Sequence, residues 1–356
     1  QLLFVREGTL MAQPFDEIAA EVTGEAVPIA EDVLYLGGAR CGVFSASKTG
    51  IMAYQTGALA RESDLVWVDR DGREINQLGG GVLHRDVRIS PDGKYAAAEI
   101  LDEATGTADI WIYDLNRRLR TRFTFDVTMD WFPTWTPDGQ RIAFASERGG
   151  EVDIWIKDVG GSSPEELLLQ SPEHNLGPES WSPDGSWLVY LRTENGVNPD
   201  IWAVPADGGE PGPVVASSFR ETAPGLSPDG RWLVFASDES GRVETYVTTF
   251  PDPTRRWQIS TDGGLKARWS PDGRELFFRA PNGSLWAVEV DGSGDSFVVG
   301  EMKELFSWVR PPGFRPSYDV GPDGESFLIN RAVDQGRAEP LTLVLNWDAE
   351  LAEKSR

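Results

Sequence analysis

A five-residue turn motif recurs six times along the chain at a nearly constant spacing. The copies read ISPDG, WTPDG, WSPDG, LSPDG, WSPDG and VGPDG, with their prolines at Pro91, Pro137, Pro183, Pro228, Pro271 and Pro322. Successive prolines are 46, 46, 45, 43 and 51 residues apart. A degenerate copy, FSASKTGIMAY, precedes them and places Gly50 43 residues before Gly93. A period of about 20 to 50 residues is typical of repeat architectures, so we expect one structural unit repeated seven times.

Each repeat has the pattern of a small antiparallel sheet, as residues 131–175 illustrate. Ser or Thr followed by Pro, Asp and Gly favours a type I hairpin turn. In this repeat the turn joins strand a, which ends at Trp135, to strand b, Arg141–Ser146; strand c is Asp153–Asp158, and strand d lies in EELLL. Strand b is almost continuously apolar in SWLVYL and RWLVFAS, which indicates burial on both faces. These patterns predict an all-β fold, a β-propeller of four-stranded antiparallel blades.

The number of blades depends on how the two ends of the chain are interpreted. Seven blades are expected, with EAVPIA closing the last blade as a strap and with YDVGPDG, ESFLIN and LTLVLNW as strands a, b and c of the final repeat. Eight blades result if the hairpin in LLFVREGTLMAQPFD forms a blade of its own. The predicted domains are residues 1–36, which close or extend the propeller, the propeller at 37–349, and a tail at 350–356. Because the chain begins in mid-pattern without Met, we expect a segment of a longer polypeptide.

Composition restricts the partners that this chain can have. The 356 residues carry a net charge of -24, which repels the phosphate backbone and argues against nucleic acid. One cysteine and two histidines are too few for a zinc site, so no metal or other cofactor is expected. No apolar run approaches the roughly 20 residues that cross a bilayer, so direct membrane insertion by this segment is not expected.

The strand order assigns different loops to the two rims of a propeller. The a-to-b and c-to-d turns lie on one rim, which is stereotyped, whereas the b-to-c loops and d-to-a connections lie on the other rim and vary. Variable loops on a rigid scaffold commonly carry binding residues. Charged and aromatic residues at this variable rim are therefore the candidate ligand- or partner-binding residues: His84, Arg85, Asp86, Arg88, Asp130, Trp131, Phe132, His174, Glu179, Arg220, Glu221, Lys266, Arg268, Arg315 and Tyr318.

Enzyme signatures are weak, and no catalytic residue is assigned. His84, Arg85 and Asp86 spell the HRD of a kinase catalytic loop, but Pro91 stands where that loop needs a metal-binding Asn. A G-x-S-x-G hydrolase elbow is also missing from the sequence. The motif aspartates are expected to cap their turns. The chain is therefore predicted not to be an enzyme; the alternative is a hydrolase or lyase that uses Asp86, Asp130, Glu179 and Glu221 at the channel mouth.

Recurring aromatic residues fall into two groups. One group occupies fixed places within the blades and is expected in the core: Trp111, Trp135, Trp155, Trp181, Trp202 and Trp269. Trp131 and Phe132 break this register at the variable rim. Because aromatic side chains are enriched among interface anchors, these two residues are the preferred anchors for a partner.

The repeat also resembles a known family. WSPDG followed by an apolar strand, then DIW or DIY and a GG turn, is similar to the TolB-type WD-like propeller repeat over about residues 44–349. LLFVREGTLMAQPFD and LVWVDRDGR are similar to propeller regions that follow bacterial serine/threonine kinase domains. This resemblance implies a non-enzymatic binding or sensor module in a larger, kinase-linked bacterial protein, with an extracytoplasmic location. Its partner would be a protein or peptide, or else a small ligand.

Overall fold

The computed structural model describes residues 1–6, 8–36, 41–47, 49–56, 62–102, 105–160, 163–194, 197–294, 296–311, 318–333 and 341–347. Within these ranges every regular element is a β-strand. The chain divides into two compact units. Unit 1 comprises Gln1–Arg61, Pro311–Phe314 and Ala332–Arg356, and unit 2 comprises Glu62–Arg310 and Arg315–Arg331. The predicted tail at 350–356 lies outside the described residues.

The strands are numbered in chain order. The first nine are β1 (Leu2–Arg6), β2 (Thr9–Gln13), β3 (Phe15–Asp16), β4 (Glu21–Val22), β5 (Val27–Ala30), β6 (Tyr35–Leu36), β7 (Cys41–Gly42), β8 (Phe44–Ala46) and β9 (Ile51–Gln55). The next thirteen are β10 (Ser63–Asp69), β11 (Glu74–Ile89), β12 (Tyr95–Asp102), β13 (Thr107–Asp114), β14 (Leu119–Arg122), β15 (Asp130–Trp135), β16 (Arg141–Ser146), β17 (Asp153–Asp158), β18 (Glu166–Leu169), β19 (Asn175–Trp181), β20 (Trp187–Glu194), β21 (Val197–Pro205) and β22 (Gly212–Val215). The last are β23 (Glu221–Leu226), β24 (Trp232–Ser237), β25 (Glu244–Thr249), β26 (Arg256–Gln258), β27 (Leu265–Trp269), β28 (Glu275–Arg279), β29 (Ser284–Asp291), β30 (Val298–Ser307), β31 (Tyr318–Val320), β32 (Ser326–Ala332) and β33 (Leu341–Leu345).

Unit 2 is a β-propeller whose described strands form six blades. Blades III, IV, V and VI are the four-stranded antiparallel sheets β15–β18, β19–β22, β23–β26 and β27–β30. A seven-stranded sheet of order β14-β13-β12-β11-β10-β32-β31 supplies the other two. The 16-residue strand β11 is long enough to serve twice, as strand d of blade I and strand a of blade II. Blade I therefore combines strands a and b from β31 and β32 with strands c and d from β10 and β11.

Six apolar clusters pack neighbouring blades together and complete the ring. Phe235 of blade V packs with Leu191 of blade IV, and equivalent clusters join blades I to II, II to III, III to IV and V to VI. The sixth cluster joins Phe277 of blade VI to Phe327 and Val66 of blade I. Strand b is buried on both faces as predicted, completely so in β24. Among the recurring tryptophans Trp135 is buried, while the others are partly buried against these clusters: Trp111, Trp155, Trp181, Trp202 and Trp269.

The predicted count of seven blades is not confirmed, because it included the degenerate copy FSASKTGIMAY as a blade. That copy forms β8 and β9, which pair with β33 in a separate three-stranded sheet of unit 1. LTLVLNW is likewise not strand c of the final repeat, since β10 occupies that place beside β32. The EAVPIA strap is corrected: this segment forms β5, which pairs with β2 in a separate sheet with β1 in unit 1 and does not close the last blade. The alternative of eight blades is likewise not confirmed.

The core of unit 1 is small and lies between its two three-stranded sheets. Leu10 and Ala30 come from the sheet of β1, β2 and β5. Met52 comes from β9 in the sheet of β8, β9 and β33, and Trp347 follows β33. Leu10 and Met52 are completely buried. These contacts account for the apolar residues in the N-terminal hairpin.

The proline turns of unit 2 have the geometry that their sequence predicts. In the WSPDG copy of blade IV, the N–H of Gly185 donates to the carbonyl oxygen of Ser182 at 2.8 Å. Asp184 accepts hydrogen bonds from the Ser182 hydroxyl and from the N–H of Ser186. The predicted role of the motif aspartates as turn caps is confirmed in all six copies.

Replacing Gly185 with Ala is expected to lower the free energy of unfolding by about 1 kcal/mol. Gly185 has a φ of 73°, and no heavy atom lies within 4 Å of an added Cβ, so the cost comes from the left-handed backbone alone. Gly212 also has open space around an added Cβ but has no left-handed φ. Urea denaturation of both variants measures the difference; equal effects at Gly185 and Gly212 would contradict this account of the turn.

Candidate functional site

A β-bulge interrupts strand a at the same place in successive blades. The pairing register with strand b shifts between His84 and Val87, Trp131 and Thr134, Pro178 and Ser180, Thr222 and Gly225, and Leu265 and Arg268. Within the bulge, Phe132, Ala223 and Lys266 have φ values of 56°, 51° and 53°. Each of these residues stands five positions before its motif proline. Because a bulge changes the direction of the side chains that follow it, the repeat turns part of strand a toward the propeller axis.

The residue three positions before each motif proline lines a shared cavity, here called the axial cavity. Its volume is about 530 Å³. The six residues at this position are Arg88, Thr134, Ser180, Gly225, Arg268 and Asp319, and five motif prolines border the same space: Pro91, Pro137, Pro183, Pro228 and Pro271. The axial cavity therefore lies at the rim of the proline turns, which was expected to be the stereotyped rim.

Buried ion pairs cross the propeller near this cavity. Lys266 of blade VI lies 3.1 Å from both carboxylate oxygens of Asp86 in blade II. Arg88 lies 3.2 Å from a Glu179 oxygen and 3.8 Å from Asp86. The structure thus brings together four of the predicted site residues, from three different blades. A network that spans the axis fixes the blades relative to one another.

Burial and charge shift the pKa values of this network in opposite directions. Burial opposes ionisation of Asp86, but Lys266 and Arg88 more than compensate and lower its pKa to about 2. Burial raises the pKa of Asp319 to about 6, although Arg88 partly offsets it. Burial also raises the pKa of Glu99 to about 7, against the attraction of Arg85 2.7 Å away. Asp86 is therefore ionised at neutral pH. Asp319 and Glu99 change their charge at pH values close to neutral.

His84 is a buried structural residue, although the sequence placed it on the accessible variable rim. Its side chain is completely buried, with Nε2 2.7 Å from the Tyr113 hydroxyl and Nδ1 3.0 Å from the Ser63 hydroxyl. Burial lowers its pKa to about 3, so the ring is neutral at physiological pH. Tyr318 is buried as well and donates its hydroxyl to the carbonyl of Phe277 at 2.8 Å. Both residues belong to the packing between blades, which their loop position in the sequence did not reveal.

The remaining predicted residues lie at the variable rim and are held by loop contacts. Asp130 accepts two hydrogen bonds from Arg148 at 3.0 Å, and Arg192 contacts His174 at 2.9 Å. Glu221 accepts a hydrogen bond from the Ser217 hydroxyl, and burial raises its pKa to about 7. Three further candidates are exposed or half-buried there: Trp131, Phe132 and Arg220. Arg315 lies outside the described residues.

Sequence reasoning missed three charged residues that complete these contacts: Glu99, Arg148 and Asp319. Glu99 lies within apolar strand β12, where no binding residue was expected. Arg148 lies in a b-to-c loop, which belongs to the variable rim, but the chosen candidates all came from the d-to-a connections. Asp319 could have been found, because it stands three positions before Pro322, as Arg88 and Arg268 do before their motif prolines. Aligning the copies on the motif proline would have placed Asp319, Arg88 and Arg268 around one axis.

The described residues contain no candidate metal site and no candidate membrane span. No group of three or more His, Cys, Asp or Glu side chains is positioned to hold a metal ion within these ranges. Across the same ranges, none of the elements is a helix with the length and apolar character of a membrane span.

Comparison with known proteins connects the fold to bacterial relatives. No family model matches the sequence. The chain is 30% identical over 161 residues to the Tol-Pal system protein TolB of Bordetella pertussis, a match that covers 44% of this chain and 36% of that protein. It is 28% identical over 203 residues to the uncharacterized peptidase YuxL of Bacillus subtilis, covering 55% of this chain and 29% of the peptidase. The matched segments thus span about a third of the length of these curated relatives.

Solved structures show the same architecture. A TolB candidate from Agrobacterium tumefaciens superposes with a TM-score of 0.62 at 20% identity, covering 78% of this chain and 99% of that chain. An oligogalacturonate lyase from Vibrio parahaemolyticus superposes with a TM-score of 0.51 at 14% identity, covering 80% of this chain and 83% of the lyase. At these identities the likeness shows the fold alone, and the fold occurs in binding proteins and in enzymes.

The six blades, their shared proline turn and the structural likeness define an all-β propeller protein. Its repeats carry the TolB pattern of turn, apolar strand and DIW strand, and TolB proteins are found among both its sequence relatives and its structural neighbours. The chain is a TolB-like β-propeller.

Proposed function

We propose that this chain is a non-enzymatic binding module that docks a protein or peptide on its variable rim. The observation that carries the proposal is a set of exposed apolar side chains on three d-to-a connections. Phe125 and Val127, between β14 and β15, are 65% and 89% exposed; Phe219, between β22 and β23, is 41% exposed; and Val309, between β30 and β31, is 74% exposed. Exposed apolar groups of this kind, rimmed by charges, are typical of interaction surfaces.

Contacts beneath the rim support its use as a binding surface. Arg148, from the b-to-c loop of blade III, binds Asp130 and lies 5.0 Å above the Trp155 ring. Asp126, in the connection that carries Phe125, accepts hydrogen bonds from the N–H and the hydroxyl of Thr128. A loop held in one conformation loses less entropy when it binds, so these contacts favour recognition by the exposed apolar groups.

The rim also suggests the chemistry of its partner. Trp131 and Phe132 form an edge-to-face pair with ring centroids 6.3 Å apart, and Phe132 packs against Gly177 of blade IV. Aromatic groups supply large contact area at an interface. The net charge of -24 attracts basic partners at long range. A peptide with an apolar centre and basic flanks fits both properties.

The enzymatic alternative has less support from the geometry. Asp86 and Glu179 are both engaged by Arg88, and a pKa of about 2 leaves Asp86 without a proton to donate at neutral pH. Asp130 is engaged by Arg148, and Glu221 is hydrogen-bonded to Ser217. Each of the four carboxylates thus takes part in a structural contact, while Glu221 keeps one buried oxygen without a hydrogen-bond partner among the described residues. A kinase-linked role and an extracytoplasmic location also belong to this proposal and rest on the sequence resemblance.

A displayed library of random peptides tests the proposal, because selection from it requires no candidate partner. Peptides selected on the wild-type protein are expected to be apolar and basic, and to bind Phe125→Ser and Trp131→Ala variants at least about tenfold more weakly, as loss of an anchor contact predicts. Affinity is measured by isothermal titration calorimetry. The melting temperature of both variants should stay close to that of the wild type, because these side chains are not in the core.

Leu119→Ser is the matched control for this experiment. Leu119 is 62% exposed, close to the 65% of Phe125, but it begins β14 at the rim of the proline turns. Its replacement should leave the affinity of the selected peptides unchanged. Peptides that lose affinity with Leu119→Ser and keep it with Phe125→Ser would overturn docking on the variable rim.

A further inference from the structure

Among the described residues that line the axial cavity, several buried hydrogen-bond donors lack an acceptor, whereas no buried acceptor lacks a donor. Four buried N–H groups of its lining residues have no hydrogen-bond acceptor in the described part of the chain: Arg88 Nε, Trp181 Nε1, and Nε and Nη2 of Arg268. None of the cavity's described lining side chains has a buried acceptor oxygen in the same condition. An unpaired buried donor destabilises the folded protein, so these groups would gain from a ligand that brings acceptor oxygens.

Arg268 is the residue best placed to contact such a ligand. Its guanidinium keeps one hydrogen bond, from Nη1 to the carbonyl of the adjacent Ala267, and its Nε lies 3.6 Å from Asp319, beyond hydrogen-bond distance. The unpaired N–H groups are shielded by the wall, and the side chain borders the open space of the cavity. A rotation of this weakly anchored side chain therefore turns the N–H groups of the planar Arg268 guanidinium toward an occupant of the cavity.

We propose that the axial cavity binds a carboxylate group through Arg268, with Arg88 supplying a second positive charge. A guanidinium and a carboxylate match in a two-pronged arrangement of parallel hydrogen bonds. The cavity of about 530 Å³ holds one or two amino-acid residues or a small dicarboxylate. Either source offers the same chemistry. This site lies at the rim opposite the docking surface proposed above, so neither proposal depends on the other.

The negative net charge of the protein does not exclude an anion from this place. Salt screens exposed charges beyond about 10 Å, so the groups in the wall dominate the local field. The charged groups that act on Asp319 are Arg88 and Asp86, and the hydroxyl of Tyr318 beside it is neutral. Arg88 in turn contacts Glu179, and Asp86 contacts Lys266. Asp319 competes with a bound carboxylate for Arg268. Removing the charge of Asp319 should consequently strengthen carboxylate binding.

Titration calorimetry at about 0.1 M salt and pH 7.5 tests the proposal with three probes: glutarate, an acidic hexapeptide with an amidated C-terminus, and its Asn/Gln counterpart. The acidic peptide or glutarate should bind, and the neutral peptide should not. Arg268→Gln should weaken binding at least about tenfold, as loss of a charge-assisted pair predicts. Arg268→Lys should recover only part of the affinity, because it keeps the charge and loses the fork. Asp319→Asn should bind more tightly than the wild type.

Arg274→Gln is the control, because Arg274 is exposed on the same rim and does not line the axial cavity. Binding of glutarate alone would identify a free small carboxylate as the occupant, and binding of the peptide alone would identify an acidic chain segment. Thermal melting confirms that each variant is folded. Failure of both carboxylate probes to bind, or equal losses in Arg268→Gln and Arg274→Gln, would overturn the proposal; the peptide-library result on the other rim would be unaffected.

Discussion

Replacing Lys266 with Met is expected to lower the free energy of unfolding by about 3 kcal/mol, the lower end of the range for a buried ion pair that loses one partner. Lys266 is 3% exposed and contacts both oxygens of Asp86, which would be left as a buried carboxylate with Arg88 3.8 Å away as its cation. Arg88 is shared with Glu179, so it compensates only in part. Chemical denaturation at neutral pH measures the loss.

The pH dependence of this loss identifies its cause. In the wild type the lowered pKa of Asp86 contributes stability above the unfolded value near 4, and this contribution disappears as the pH falls toward 2. In the Lys266→Met variant, the Asp86 carboxylate has lost its lysine partner and should take up a proton at a higher pH than in the wild type. Its protonation removes the buried negative charge and so reduces the loss of stability. The difference between the two proteins should therefore be largest at neutral pH and shrink on acidification.

Two further variants separate this charge effect from packing. Lys303 is exposed on β30, so Lys303→Met should change the free energy of unfolding by less than about 0.5 kcal/mol. Removing both charges, with Asp86→Asn and Lys266→Met together, should restore part of the stability, because the buried group that lost its lysine partner is then no longer charged. The two residues would instead act independently if the double variant lost as much stability as the Lys266→Met and Asp86→Asn single variants lose together.

Replacing Phe327 with Ala is expected to cost about 3–5 kcal/mol, as for other fully buried aromatic residues. Phe327 lies on β32, is completely buried, and packs edge-to-face on Phe277 of blade VI with ring centroids 5.0 Å apart. This contact belongs to the cluster in which blade I meets blade VI. The loss should therefore weaken the closure of the ring in addition to the stability of one blade.

Hydrogen exchange distinguishes closure from ordinary core packing. Phe144→Ala in blade III removes an equally buried ring and should have a similar cost. Backbone amides of β10 and β32 should exchange faster in Phe327→Ala than in Phe144→Ala, because local opening follows the weakened contacts. Equal protection of these amides in the two variants would contradict a special role for this blade in closing the ring.

The sequence predicted the blade far better than the ring. Turn chemistry and apolar runs located strands b and c of blade III to the residue, because both signals are local. The count of seven blades was not confirmed, and the sequence could not settle it because LTLVLNW and SDLVWVD are equally good apolar strands. What places SDLVWVD in blade I is the packing of Val66 and Val68 near Phe277 and Tyr318, a contact between distant parts of the chain. No local pattern reports such a contact.

Part of the candidate site was selected from the sequence, but the pairings between its residues were not. Asp86, Arg88, Lys266 and Arg268 were all selected, because they stand just before the motif turns. Their partners could not be assigned, since Lys266 and Asp86 are 180 residues apart and meet only when the ring is formed. The expected position also shifted, because the recurrent bulge directs strand a inward and brings these charges to the axis.

Blade I is assembled from strands that are remote in the chain, as the contact between Arg331 and Glu74, 257 residues apart, illustrates. During synthesis the first strands of this blade emerge long before β31 and β32 exist. Until then Val66 and Val68 lack the side chains that later cover them, and such transiently exposed apolar strands are prone to aggregation. A ribosome-bound chain halted before Tyr318 should accordingly depend on chaperones in a way that the finished protein does not.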